Sequence, residues 1–320
     1  MTLYDGISPF YASPRVSAGF NTIEIVIILI FLIFFVAFLI VLAGIRGSER
    51  LTWLLQICLS LFIGAVIVVV NFTNNWESGY ARVSTNYKSF NKEKVDAEVG
   101  LHIGLAGINV TLRGIPENQL NETINYNEEF LWQLGSSYEG QYQDGLERGL
   151  PNPILYLAEK FTPSSPCGVH LQYRVCSYYA SATMWVALCG WLLSNILLKM
   201  QVILTGAYML LVTGCFMIFS LISFGSTRNV VLCQIQFDQV KLETALGPSF
   251  WLALVAGLLC FIIGITIIVL NFVAPTILRR LFLLNGDNDE DDFIKEDHSG
   301  KVDKSVSKEA VPQQNVNFVV

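Results

Sequence analysis

Five stretches of this chain are long, apolar and uncharged in their interiors, and they constrain its fold more than any other feature. A helix needs about 20 apolar residues to cross roughly 30 Å of hydrocarbon, with every backbone polar group satisfied inside the segment. Ile23–Ala43, Leu51–Val70, Ala180–Leu198, Val202–Phe224 and Phe250–Val273 meet that requirement. Glu24 sits at the edge of the first stretch, and Pro275 closes the last because it lacks a donor N–H. Composition agrees. Charged residues are 14% of the 320, where a soluble domain carries about 25%. The net charge of −6 comes largely from a tail cluster, Asp287–Asp292, and no basic stripe with interleaved aromatics points to nucleic acid.

The reading is therefore an α-helical multi-pass membrane protein with five transmembrane helices. Its expected parts are an N-terminal segment (1–22), helices one and two (23–71), a large outer loop module (72–179) and helices three and four (180–224). A second outer loop (225–248), helix five (249–274) and a disordered acidic tail (275–320) complete it. Lysine and arginine near span ends set orientation, since they favour the cytoplasmic side. Arg46, Arg50, Lys199, Arg279 and Arg280 all fall on one side of a five-span chain, whereas the N-terminal segment holds only Arg15. The N-terminus is thus expected outside and the C-terminus in the cytoplasm. A basic n-region and an A-x-A-like exit are both missing, so the first span reads as its own uncleaved signal.

Sequons and thiols fit the same topology. Asn109 (in NVT) and Asn121 (in NET) lie in the expected outer loop as glycosylation sites, and Asn71 (in NFT) abuts the membrane, out of reach of the transferase. Cys58, Cys189, Cys215 and Cys260 fall within spans and read as small buried apolar residues. Cys167, Cys176 and Cys233 fall outside them, where an oxidising lumen permits disulfides. Cys233 is alone in its loop. Cys167, in a segment leading back to the membrane, is its leading partner; Cys176 is the rival, and a thiol of another protein is the third choice.

Within the large loop, Val95, Ala97, Val99, Leu101, Ile103 and Leu105 alternate with polar or small residues as a half-buried strand requires. The alternation slips at Ala106–Gly107 and resumes at Ile108, Val110 and Leu112, which predicts a tight hairpin turn or a bulge around Gly107. Asn109 then points away from the apolar face. Downstream, Phe130, Leu134, Tyr138, Tyr142 and Leu146 recur every four residues, predicting a helix that starts near Asn125–Glu128 and stops at Gly149. A second short helix is expected from Asn152–Pro153 to Phe161.

Catalytic and cofactor chemistry finds no support. The three histidines, His102, His170 and His298, lie outside the spans, so paired transmembrane haem ligation is excluded. No nucleotide-binding glycine motif and no zinc spacing is present. The acidic cluster lacks the glycine and terminal glutamate of a calcium loop. Span interiors carry no ionisable group, which argues against an ion pathway. They carry small residues for close packing instead: Ser60 and Gly64, then Ala253 and Gly257, suited either to the internal bundle or to a partner's helices. A binding or assembly protein is the class left, with no metal and no cofactor.

Several motifs sharpen this. SPFY (Ser8–Tyr11), AGIRG (Ala43–Gly47), SLFIGA (Ser60–Ala65), QLNETINYNEEF (Gln119–Phe130), GLPNPILYLAEKFTPSSPCG (Gly149–Gly168) and YYASATMWVA (Tyr178–Ala187) resemble the dual oxidase maturation factor family. The resemblance runs from the N-terminus to about Val273. It implies five spans, an extracellular N-terminus and a claudin-like outer module of sheet and helix. It implies binding to a dual oxidase, an NADPH oxidase with an extracellular peroxidase-like domain. Members are needed for that oxidase to leave the endoplasmic reticulum, reach the plasma membrane and release hydrogen peroxide. The outer module would meet the peroxidase-like domain, and Tyr4–Phe20 with the helices would meet the membrane domain, giving a hetero-oligomer in a lipid bilayer. Cys167 lies inside a family block and Cys233 where the family keeps its second-loop cysteine; Cys176 departs from the pattern. Two other classes compete with this reading. A claudin-like junction protein would show GLW after Trp76 and a cysteine between Trp76 and Cys167, both of which this chain lacks. A channel auxiliary subunit is the other. The final NFVV matches a PDZ-ligand pattern only loosely, through Phe318 and Val320.

Overall fold

The computed structural model describes residues 22–43, 50–88, 93–133, 135–165, 168–200, 202–229, 234–238 and 240–276. Helices α1 (Thr22–Ala43) and α2 (Arg50–Phe72) come first, followed by strands β1 (Glu77–Asn86), β2 (Lys94–Ile103), β3 (Gly107–Gln119) and β4 (Glu122–Leu131). Two short helices, α3 (Tyr138–Arg148) and α4 (Asn152–Lys160), precede the long helices α5 (Gly168–Lys199) and α6 (Ile203–Gly225). A 3-10 turn and three short strands, β5 (Ile235–Phe237), β6 (Val240–Leu242) and β7 (Thr244–Leu246), lead into α7 (Pro248–Val273). Among the described residues α1, α2, α5, α6 and α7 are long and apolar enough to cross a membrane. Four match the predicted spans to within a few residues. The third starts at Gly168 rather than Ala180, because Tyr173 and Ser177 extend its buried face above the apolar stretch.

Apolar side chains do not separate inside from outside in such a helix, so shape decides the packing. Helix α6 lies between α5 and α7, and α2 packs on α5 and α7. At Gly64 of α2 an added Cβ would sit 2.5 Å from the indole of Trp191 on α5, so glycine sets how close these helices come. Ser60 donates to Asn195 Oδ1 at 2.5 Å, and Trp191 Nε1 donates to the Ser60 carbonyl at 3.1 Å. Ala253 is fully buried, and Gly257 faces Met217 and Ile218 of α6. The small residues thus serve the internal bundle. Cysteine burial differs from expectation: only Cys260 of the four span thiols is buried, while Cys189 and Cys215 face outward, where the surroundings are as apolar as the core. Helix α1 lies against α2 with no residue of Glu24–Val41 buried.

Above one end of the bundle stands an antiparallel five-stranded sheet in the order β4-β3-β2-β1-β7. Strands β2 and β3 follow the predicted alternation, turning at Gly104–Ala106, with Val99, Leu101, Ile108 and Val110 buried beneath α3 and α4. The predicted start of α3 is wrong. Residues 125–131 belong to β4, paired with β3 from Gly107↔Leu131 to Arg113↔Asn125. The helix begins only after Ser137, whose side chain caps Gly140 N–H at 3.1 Å, and ends at the left-handed Gly149, φ 68°. Nor is the sheet the work of one loop: β7, from the loop between α6 and α7, pairs with β1 through Glu77↔Leu246 and Gly79↔Thr244.

Candidate functional site

The helix bundle and the module above it are held in fixed relation. Here that is done by aromatic rings. Trp76, which follows α2, has no exposed surface; its indole N–H donates to the Val70 carbonyl at 2.8 Å, and its ring lies 5.0 Å from Phe224 and 6.1 Å from Phe250. Phe224 touches Tyr173, Tyr173 touches Phe161, and Phe161 touches Trp132 and through it Tyr138, at centroid distances between 5.9 and 6.4 Å. One aromatic column therefore runs from α7 to the helices packed on the sheet. Edge-to-face and tilted rings at these distances each add about 0.5–1.5 kcal/mol beyond area burial.

Polar contacts fix the same joint. Ser181 donates to Asn71 Oδ1 at 2.7 Å, and Thr73 and Ser249 share a hydrogen bond of 2.8 Å. Gly247 N–H donates to the Trp76 carbonyl at 2.8 Å, and any Cβ at Gly247 would collide with the Asn75 carbonyl. The carboxylate of Glu77, buried at the start of β1, accepts from Thr244 Oγ1. Burial also raises the phenols of Tyr87 and Tyr138 well above the usual tyrosine range; Tyr87 hydrogen-bonds Tyr126 and Glu122, and Tyr138 donates to the Ala158 carbonyl.

Two surfaces of the module are open. The sheet face turned away from α3 and α4 is polar, with rows Ser78–His102–Asn109–Glu129, Tyr80–Gly100–Thr111–Asn127 and Arg82–Glu98–Arg113–Asn125. Beside the sheet, a cleft of about 480 Å³ opens between β1, α3, α4 and the β5–β6 hairpin, lined by Tyr142, Leu146, Tyr156, Glu159, Phe237 and Asp238. Tyr156 holds the hairpin through a 3.1 Å hydrogen bond to the Gln236 carbonyl and a ring contact with Phe237. Leu146, expected in the aromatic stripe's core, is 45% exposed in this cleft, whereas Phe130 and Tyr138 are buried.

Asn109 lies mid-sheet on the open face, half-buried between His102 and Glu129. Asn121 is exposed at the tip of the β3–β4 hairpin, where Leu120 (φ 54°) and Asn121 (φ 58°) are both left-handed. Asn71 is buried at the end of α2. Cys167 and Cys233 lie outside the described residues, as do Tyr4–Phe20, the acidic cluster and the C-terminal NFVV; Cys176 carries a free thiol. Sequence reasoning missed Trp76, Glu77 and β7, and only the position of Trp76 directly after a span could have flagged the joint.

His102 gives the open face a pH dependence. It is half-buried, with Nδ1 3.1 Å from Asn75 Oδ1 and its ring edge-on to Tyr80, and burial lowers its pKa from 6.5. The folded state thus binds the imidazole proton more weakly than the unfolded state does. Its contribution is complete above pH 6.5 and is lost as pH falls below that value. Protection factors of β2 amides, which divide out the intrinsic slowing of exchange at lower pH, are expected to fall between about pH 7.5 and 5.5, and His102→Gln should flatten the fall; equal profiles would contradict it.

These parts define a five-helix membrane protein bearing a sheet-and-helix module assembled from two loops and locked to the bundle. A family model described as dual oxidase maturation factor matches residues 10–286. Dual oxidase maturation factor 1 of Xenopus laevis is 50% identical over 283 residues, covering 88% of this chain and 92% of the relative. Dual oxidase maturation factor 2 of Homo sapiens is 48% identical over 281 residues, 88% of each chain. Dual oxidase maturation factor 1 of Caenorhabditis elegans is 29% identical over 265 residues, 77% of this chain and 65% of the relative. The chain belongs to the dual oxidase maturation factor family.

Proposed function

We propose that this protein is a non-catalytic maturation and assembly partner of a dual oxidase, needed for that oxidase to leave the endoplasmic reticulum, reach the plasma membrane and release hydrogen peroxide. One observation carries the reading: the likeness to maturation factors covers residues 10–286, taking in every span and both module-forming loops. The rigid aromatic joint supports it, since a partner that matches a client both in the bilayer and beside it needs those surfaces in register. The peroxidase-like domain of the oxidase meets the claudin-like module, and its membrane domain meets the helices and Tyr4–Phe20, forming a hetero-oligomer.

The N-terminus and module face the lumen and then the cell exterior, and the C-terminus faces the cytoplasm, as the lysine and arginine positions favour. The division into segments at 1–22, 23–71, 72–179, 180–224, 225–248, 249–274 and 275–320 follows from this topology. Asn109 and Asn121 carry glycans, and Cys167–Cys233 ties the large loop to the second, contributing about 2–4 kcal/mol. Peptide N-glycosidase is expected to shift the wild-type band by two steps, and Asn109→Gln or Asn121→Gln by one. An unshifted wild type would place the module in the cytoplasm. Function is tested by co-expression with a dual oxidase: the oxidase's N-glycans should become resistant to endoglycosidase H with this chain present. Glycans that stay sensitive in both cases would remove the export role.

A further inference from the structure

We infer that the slot where the module meets α5 is a glycerophospholipid site, with the phosphate at Arg174 and an acyl chain between Trp132 and Trp185. Helix α5 carries Arg174, Tyr178, Ala182 and Trp185 at spacings of four, four and three, which aligns them on one stripe. The lower part of that stripe lines a cavity of about 410 Å³, and Leu105 and Trp132 of the module form the opposite wall. Ligand pockets commonly hold about 300–1,000 Å³.

Neighbouring contacts fix the depth of the slot. Ser181 bonds to Asn71 in the last turn of α2, and the Trp185 ring lies edge-on to Phe72 at 6.0 Å. Trp185 therefore stands level with the end of a span, and Tyr178 stands two turns nearer the module. That is the headgroup level, where amphipathic aromatic rings concentrate. Tyr178 is 45% exposed and Trp185 42%, so the slot opens sideways toward lipid.

Arg174 supplies the charge. Its guanidinium lies 5.3 Å from the centroid of Tyr138, one turn above Tyr178 on the same stripe of α5, so the cation stands above the slot and outside its lining. It makes no ion pair among the described residues. Arg174 is half-buried as a residue; a guanidinium's fork of donors suits a phosphodiester, and the apolar slot one turn below suits the chain attached to it. A cation at headgroup depth above an apolar slot matches a phospholipid, with its anion and chain, better than the uncharged side of a helix. The site depends on span and module geometry alone and stands whether or not the protein serves an oxidase.

The test uses the full chain in nanodiscs containing a phosphatidylcholine with a diazirine near the head of one acyl chain, and peptide mass spectrometry of the adducts. Adducts should concentrate on peptides holding Trp132 and Tyr178–Trp185, normalised to those at exposed Ile262 on α7. Arg174→Gln should lower them about tenfold, as loss of charge-assisted hydrogen bonds implies, whereas Arg174→Lys keeps most of them. Ala182→Trp, which fills the slot, should remove them; if that variant fails to fold, the Gln and Lys pair at matched melting temperature decides alone. Adducts spread evenly over α5, α6 and α7, or equal in wild type and Arg174→Gln, would overturn the site. So would lipid adducts that fall on a co-purifying polypeptide and spare the slot.

Discussion

Trp76→Ala is expected to lower stability by about 3–5 kcal/mol, the range for deleting a large buried aromatic, and to release the module from the bundle. This residue ties together four parts of the described structure. The Trp76 amide donates to the Ile103 carbonyl at the β2–β3 turn, its carbonyl accepts from Gly247, its indole bonds back to α2, and its ring packs on α6 and α7. The loss is a large share of the roughly 5–15 kcal/mol that holds a folded domain together. Trp76→Phe keeps a ring in the column but leaves the Val70 carbonyl without its indole donor, and should cost nearer 1–3 kcal/mol. Limited proteolysis in detergent distinguishes the parts: Trp76→Ala should expose cleavage sites in β1–β4 while α5–α7 stay protected. Wild-type protection of the module would contradict the column's role.

Gly64→Leu acts at the other end of the molecule and should cost about 1–3 kcal/mol by overpacking. The first carbon of the new side chain already sits 2.5–3.0 Å from three atoms of the Trp191 indole. That ring cannot swing aside freely, because its N–H is held by the Ser60 carbonyl one turn away, and Ser60 itself bonds Asn195. Helices α2 and α5 must then separate, breaking this polar group inside the bundle. A drop of several degrees in the melting midpoint with helix content unchanged is expected. An unchanged midpoint would mean that the two helices are not in contact at Gly64.

The spans were legible because length and apolar composition suffice to identify them, and β2–β3 because Val95 to Leu105 alternate cleanly. Strand β4 was not. Its hairpin turns on Leu120–Asn121 instead of an Asn–Gly pair, and its inward residues, Ile124, Tyr126 and Phe130, are separated by polar runs that also fit a helix start. Strand β1 hides for a different reason: its buried side is Glu77, Gly79, Ala81 and Val83, too small and polar to show an apolar period. Strand β7 is three residues long and takes its conformation from pairing with a distant partner, which no local signal records. The joint followed the same pattern. Trp76, Phe161, Tyr173 and Phe224 are scattered along the chain, and only folding stacks them.

If the aromatic joint exists to present a module to a client enzyme, the decisive quantity is dual oxidase at the cell surface together with extracellular hydrogen peroxide. Cells expressing the oxidase with this chain should show both rise well above cells with the oxidase alone, and Trp76→Ala should return both toward that baseline while the variant remains in the membrane. Surface oxidase and peroxide that do not change when the chain is added would contradict the maturation role itself. A full response from Trp76→Ala would leave the role standing but remove the seated module from it.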